Sequence, residues 1–374
     1  MDHSKNVNRV IIFGAYGVFG SQVARELRGR GVPITVAGRD LAKAELFARG
    51  LGPDCRALTA DLDDSPSCRT ALDGHAVAVN CAGPFNRLSA ALLQASLTAG
   101  CHYVDIADDR GYAAMVRGYG DRFRDRGLAA VYGCSSLPGI SGALAQRAHT
   151  KLASFANQGQ SGAVPVIERA RVTLFIGNKN PKGRAALASL VAQLGRPIAA
   201  PQGTLRGFRN REVVPLPPPF HSRAVFNFES PDYDLLPAAV GARAVSVKVG
   251  FEFRLGAYAF AVLALLGLGY GRRTVSILNP PCRFLSWFGH SGGAVMTELF
   301  AADGGSSWAA VSGRDDGQRM AALPCAMVAH ALAMGDVATL GATTACEFLG
   351  ANRMLDGLAS SGFSVQEETR PLTN

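Results

Sequence analysis

Gly14, Gly17 and Gly20 follow the apolar run Val10 to Phe13 and open the segment Val18 to Leu27, whose apolar positions recur at helical spacing. Buried strand, glycine turn and helix in that order present backbone N–H groups at a helix start to the pyrophosphate of a dinucleotide. Gly14 serves the tight turn, Gly17 lets phosphates approach the main chain without a Cβ in the way, and Gly20 lets the helix pack close to the strand. Tyr16, Val18 and Phe19 complete this cofactor-binding turn.

The choice of dinucleotide is written at the next strand, Pro33 to Ala37, which ends in Gly38-Arg39-Asp40 and not directly in an acidic residue. An acidic tip would bind the ribose 2′-OH and repel a 2′-phosphate, whereas Arg39 attracts the phosphate, so the expected cofactor is NADP. Lys43, a helical turn beyond Asp40, adds a second positive charge, while Asp40 itself reads as the N-cap of the helix from Leu41.

Elements that could position these residues alternate along the first part of the chain. Strand-like runs at Arg9 to Phe13, Pro33 to Ala37, Arg56 to Thr59, Ala76 to Asn80, His102 to Ile106 and Leu128 to Tyr132 are separated by helical stretches, among them Ser89 to Leu97 and Tyr112 to Arg126. The fold class is therefore α/β, a Rossmann-type doubly wound parallel sheet over residues 1–150. Ligands of such sheets bind beyond the carboxyl ends of the strands. Asp61 and Leu62 are placed there to flank the adenine, and Ala82, Gly83 and Pro84 to lie beside the nicotinamide half.

Hydride transfer leaves negative charge that calls for a proton or a hydrogen-bond donor. At the strand ends the catalytic candidates are Asp105, Ser135 and Ser136; His102, Tyr103 and Tyr132 read as structural. Asp105 could equally cap the next turn. No Tyr-x-x-x-Lys dyad of the short-chain dehydrogenase kind occurs near the expected helix.

Beyond residue 150 the pattern changes to longer alternating runs, Ala170 to Ile176, Ala244 to Phe253 and Ala294 to Ala301, which suit a mixed or antiparallel sheet in a second α+β domain. Residues 151–374 form this substrate and dimerisation domain, with C-terminal helices free to pack back on the first. Helices are expected at Gly183 to Gln193 and Ala321 to Ala333, and Val213 to Phe220 reads as an extended connector. Leu255 to Gly271 carries no charge between Arg254 and Arg272-Arg273. It reads as a buried helix or tunnel wall, as a peripheral membrane contact flanked by arginines, or, least, as a span.

Composition narrows the classes. The 374 residues suffice for two domains, and 48% apolar content excludes a disordered chain. A net charge of +9 is spread along the chain and lacks the basic, aromatic-laced footprint of a nucleic-acid binder. The eight cysteines show no metal-ligand spacing, so no metal is expected, and with no signal-peptide pattern a reducing cytoplasmic location follows as the expectation, with membrane association open.

Gly14 to Gly20, Ala37-Gly38-Arg39, Asn80 to Phe85, Gly100 to Asp105 and Leu137-Pro138-Gly139 together resemble the saccharopine dehydrogenase-like oxidoreductases. The resemblance covers the first 150 residues well and the remainder loosely. It implies an NADP-binding Rossmann domain, hydride transfer as the chemistry, and a second domain that supplies substrate contacts and often a homodimer surface. Saccharopine-forming members of the family carry Asp before the Pro-Gly pair, where this chain has Leu137. That departure and the lack of an evident arginine clamp favour a small-molecule or lipid-like carbonyl or enoyl substrate. The alternatives are an imine-reducing amino-acid dehydrogenase, with Arg171, Arg184 or Lys179 as the clamp, and a non-catalytic NADP sensor.

Overall fold

Uninterrupted apolar and β-branched runs become parallel strands in this computed structural model, which describes residues 8–158, 165–181, 184–266 and 289–370. The strands are β1 (Val10–Phe13), β2 (Ile34–Gly38), β3 (Arg56–Thr59), β4 (Val77–Asn80), β5 (His102–Asp105) and β6 (Ala129–Tyr132). Between them run α1 (Val18–Gly29), α2 (Leu41–Leu51), α3 (Ser65–Ala71), α4 (Ala91–Ala99), α5 (Arg110–Gly118) and α6 (Gly120–Asp125). β1 and β4 are buried throughout, as strands covered on both faces must be.

The sheet has one strand more than the six expected. β15 (Gly341–Thr344) pairs in parallel with β6, giving the order β15-β6-β5-β4-β1-β2-β3. Four small residues opened by a glycine carry little strand signal in sequence. The same strand explains why Tyr112 to Arg126, read as one helix, is two. A Cβ on Gly120 would sit 3.2 Å from the Ala342 methyl, so the chain breaks at Tyr119 and uses a glycine to approach β15.

The second sheet has the order β10-β11-β12-β7-β13-β14-β16 and is mixed. Its strands are β7 (Ile167–Ile176), β10 (Glu212–Val214), β11 (Arg223–Asn227), β12 (Ala244–Phe251), β13 (Gly293–Ala301), β14 (Ser306–Gly313) and β16 (Ser364–Arg370). β7 and β12 are parallel and every other pairing is antiparallel. A separate hairpin joins β8 (Pro197–Ala200) to β9 (Gly203–Arg206). The helices are α7 (Ser141–Gln158), α8 (Arg184–Ala192), α9 (Asp232–Val240), α10 (Arg254–Leu265), α11 (Gly317–Ala333), α12 (Ala345–Leu349) and α13 (Ala351–Ser360). α7 packs on β13 and β14, where Thr297 Oγ1 donates to the Ser141 carbonyl at 3.1 Å.

Two compact units result, residues 1–135 with 321–350, and residues 136–320 with 351–374. The division therefore falls before the expected boundary at 150, because α7 belongs to the second sheet's layer, and 321–350 returns to the first unit because β15 extends its sheet. The expected connector Val213 to Phe220 is in part strand: Val213 and Val214 pair with Ala224 and Arg223, and Leu216 and Phe220 are buried against Phe175 and Ala294.

Candidate functional site

At the carboxyl edge of the first sheet, Gly14 adopts φ +74° and a Cβ there would come within 3.0 Å of the Ala82 backbone. The turn after β1 and the loop after β4 thus touch, which brings Gly14 together with Ala82 and its neighbours Gly83 and Pro84. A Cβ on Gly20 would overlap the Gly14 carbonyl, so the close packing of α1 on β1 requires glycine. Gly17 is exposed, donates to the Gly14 carbonyl at 2.9 Å and occupies the N-cap of α1 with no side chain capping the helix. Val18 and Phe19 begin the helix, and its first N–H groups stay open to an anion.

The tip of β2 supplies the charge. Arg39 is exposed and has no ion-pair or hydrogen-bond partner among the described residues. Lys43 Nζ lies 2.8 Å from Asp40 Oδ2, while Asp40 Oδ1 accepts from the Lys43 backbone N–H at 3.1 Å as the N-cap of α2. Each partner shifts the other: the hydrogen bond from Lys43 lowers the Asp40 carboxyl, and Asp40 raises the Lys43 ammonium. Tyr16 reaches across from the glycine turn, its hydroxyl accepting from the Asp40 N–H at 3.2 Å and its ring lying where a Gly38 side chain would be. Tyr16, Arg25, Lys43 and Phe47 line a cavity of about 410 Å³ between α1 and α2. Asp61 and Leu62 follow β3 beside this tip, where Ala60 donates to the Gly38 carbonyl at 3.1 Å. The Asp61 carboxylate caps its own turn through the Asp63 N–H.

These residues fit a phosphorylated adenosine dinucleotide: a glycine cradle that a Cβ would fill, open N–H groups at α1, and an exposed guanidinium after β2 with no partner among the described residues. They bring Gly14, Tyr16, Gly17, Val18, Phe19, Gly20, Arg39, Lys43 and Ala82 to one edge of the sheet.

The proton-transfer candidates are placed differently. Asp105 is fully buried, its Oδ1 accepting from the Ala107 and Gly133 N–H groups, both at 2.9 Å, so that it ties the end of β5 to the end of β6. Oδ2 is buried with no hydrogen-bond partner within normal distance among the described residues. Burial pushes the carboxyl up to about 6, against the opposing pull of those two N–H donors and of the Tyr103 hydroxyl. Ser135 and Ser136 are half-buried where the chain passes from one unit to the other. Tyr103 is buried with its hydroxyl 2.8 Å from that of Tyr112, and both hydroxyls are offered the Asn80 amide, at 3.4 and 3.2 Å. His102 Nδ1 accepts from the Ala129 N–H at 3.0 Å.

In the second unit, Arg171 cannot serve as a carboxylate clamp. Its guanidinium forks onto Glu298 at 2.7 and 2.8 Å and also reaches Glu212 at 3.0 Å. Lys179 is exposed, and the Arg184 side chain lies outside the described residues. The uncharged segment is helical as α10, and Tyr258, Val262, Leu265 and Leu266 are 38–62% exposed, which corrects the expectation of a wholly buried helix. Phe260 and Ala264 face inward, Phe260 against Phe208 and Phe251. Residues 267–271 lie outside the described residues, and among those described no helix is long and apolar enough to cross a membrane.

One pair escaped the sequence reading. Glu252 at the end of β12 accepts from His290 Nδ1 at 2.5 Å and, through Oε2, from the backbone N–H groups of Asn178 and His290 at 2.8 Å each. The partners are 38 residues apart and no local spacing links them.

Residues 10–131 match the family model described as the saccharopine dehydrogenase NADP binding domain. Among solved structures, apo saccharopine dehydrogenase (L-Glu forming) from Saccharomyces cerevisiae aligns over 97% of this chain and all of its own, at 12% identity and a TM-score of 0.68. A short-chain type dehydrogenase/reductase from Mycobacterium marinum covers 34% of this chain and 74% of its own at 18% identity, with a TM-score of 0.31 that carries no argument. No curated protein sequence matches the chain. With its glycine cradle and Arg39, the segment 10–131 is thus similar to a saccharopine dehydrogenase NADP binding domain, and the chain shares its fold with saccharopine dehydrogenase.

Proposed function

We propose that the chain is an NADPH-dependent reductase of an apolar, lipid-like carbonyl or enoyl compound, working in the cytoplasm and touching membrane surfaces through α10. Bound NADPH supplies the hydride; the chain's own residues hold its phosphates at the glycine cradle and at Arg39. The observation that carries the substrate half is the commitment of Arg171 to Glu298 and Glu212, which leaves it unable to bind the carboxylates of an amino-acid substrate. Leu137, buried where saccharopine-forming relatives carry an acid, supports the same side. The exposed apolar stripe on α10 supports contact with a bilayer or an apolar ligand, since large exposed side chains at positions i, i+4, i+7 and i+8 form one face. Free thiols, seven among the described residues, suit a reducing compartment.

The purified chain is expected to bind NADPH more tightly than NADH, read from nucleotide fluorescence, and to oxidise NADPH with long-chain ketones, enals or enoyl thioesters. Preference for NADH would overturn the cofactor assignment. Turnover restricted to mixtures of an amino acid and a keto or aldehyde acid would replace the lipid-like substrate by the imine-reducing alternative. Anionic liposomes should retain the chain, and Val262→Glu with Leu266→Glu should release it.

A further inference from the structure

Arg39 can discriminate a 2′-phosphate only if its side chain leaves the backbone in a fixed direction, and that direction is set by the peptide planes on either side of its Cα. The preceding plane is held from β3, where the Ala60 N–H donates to the Gly38 carbonyl at 3.1 Å. The following plane is held from the glycine turn, where the Asp40 N–H donates to the Tyr16 hydroxyl at 3.2 Å. Asp40 is in turn fixed to α2, its Oδ1 accepting from the Lys43 N–H at 3.1 Å. One plane is thus tied by backbone and the other by a side chain.

That side chain is placed by the turn itself. The Gly17 N–H donates to the Gly14 carbonyl at 2.9 Å and closes a β-turn whose central residues are Ala15 and Tyr16. Ala15 is wholly buried, whereas Tyr16 is half-buried and crosses to the tip of β2. Room for the crossing is made at Gly38. A Cβ there would overlap the Tyr16 hydroxyl and ring, yet Gly38 is not among the glycines with a left-handed backbone, so its missing side chain serves space and not a turn. Of the two cations at the tip, Lys43 is committed to Asp40 Oδ2 at 2.8 Å, while Arg39 has no partner among the described residues.

We propose that Tyr16 is a positioning residue for cofactor choice: its hydroxyl ties the tip of β2 to the glycine turn, so that Arg39 is preorganised for the 2′-phosphate of the dinucleotide whose pyrophosphate the turn receives. This rests on the NADP reading and on no particular substrate. Because the brace acts on the guanidinium and not on the nucleotide, it contributes to binding only when Arg39 and a 2′-phosphate are both present.

The test is fluorescence titration of the full chain with NADPH and with NADH, which differ only in that phosphate. Tyr16→Phe keeps the ring beside Gly38 and removes only the acceptor. It is expected to weaken NADPH about fivefold, the worth of one neutral hydrogen bond, and to leave NADH unchanged. In an Arg39→Ala background the same change should have no further effect on NADPH. Gly38→Ala, which displaces the ring by a different route, should reproduce the selective loss. Equal losses for both nucleotides, or no loss for either, overturn the proposal. So does a loss that persists without Arg39, which would make the hydroxyl a direct ligand of the cofactor. A parent chain that binds NADPH no more tightly than NADH fails the NADP reading instead, and the brace falls with it.

Discussion

The two sheets bury ionisable side chains by opposite means. In the first, Asp105 goes into the interior where no counter-charge meets it among the described residues, so despite the Ala107 and Gly133 N–H groups and the Tyr103 hydroxyl burial lifts its carboxyl to about 6 and it is protonated with ease. In the second, Lys248 is 1% exposed yet finds Glu212 at 2.7 Å, the Asn227 side chain at 2.8 Å and the Asn210 carbonyl at 2.8 Å, while Arg171 bridges Glu212 to Glu298. A lone acid can shed its charge when buried, whereas a lysine and an arginine beside two glutamates keep theirs by pairing. Desolvation of a charge is the common cost, and neighbours decide which escape is open.

Removing one member of the paired network should have the largest effect. Lys248→Met is expected to destabilise the chain by about 3 kcal/mol, the low end for a broken buried pair because Glu212 is 33% exposed. Urea unfolding measures it, and adding Glu212→Gln should restore part of the loss. Full additivity of the two changes would dissolve the network as a unit.

The lone acid should reveal itself through pH. Its folded value lies above the unfolded one, so protonation favours the native state at low pH and that contribution is lost as pH rises from about 4 through 6. A shift of that size corresponds to roughly 3 kcal/mol, an upper figure. Asp105→Asn should therefore gain stability relative to the parent between pH 4.5 and 7.5 in the same unfolding assay; equal differences at both pH values would mean that Asp105 is ionised at no cost.

Arg39 stands outside both strategies, a surface guanidinium with no partner among the described residues. Arg39→Ala should cost little stability but weaken NADPH about tenfold or more, leaving NADH nearly unaffected. Smallest is the expected effect of Arg171→Lys, about 1 kcal/mol, since one cation replaces another and only the two-pronged bond to Glu298 is lost.

Legibility in the sequence followed the distance between interacting residues. Six parallel strands and the three glycines could be read because strand, turn and helix there are contiguous, so each residue's steric task is set within a few positions. β15 escaped because four small residues become a strand only when β6 offers an edge. α10 was visible as an uncharged run, but which of its faces is covered depends on Phe208 and Phe251.

By itself the sequence determined the α/β first unit and the glycine cradle, since those rest on local backbone conformation, and residues 10–131 carry the pattern of an NADP binding domain. Tertiary structure alone decided that Asp105 is a buried tie between strands, that Arg171 is already spoken for, and that Glu252 and His290 meet. Burial, pairing and the direction of a proton are properties of neighbours in space, and segments far apart in the chain supply those neighbours.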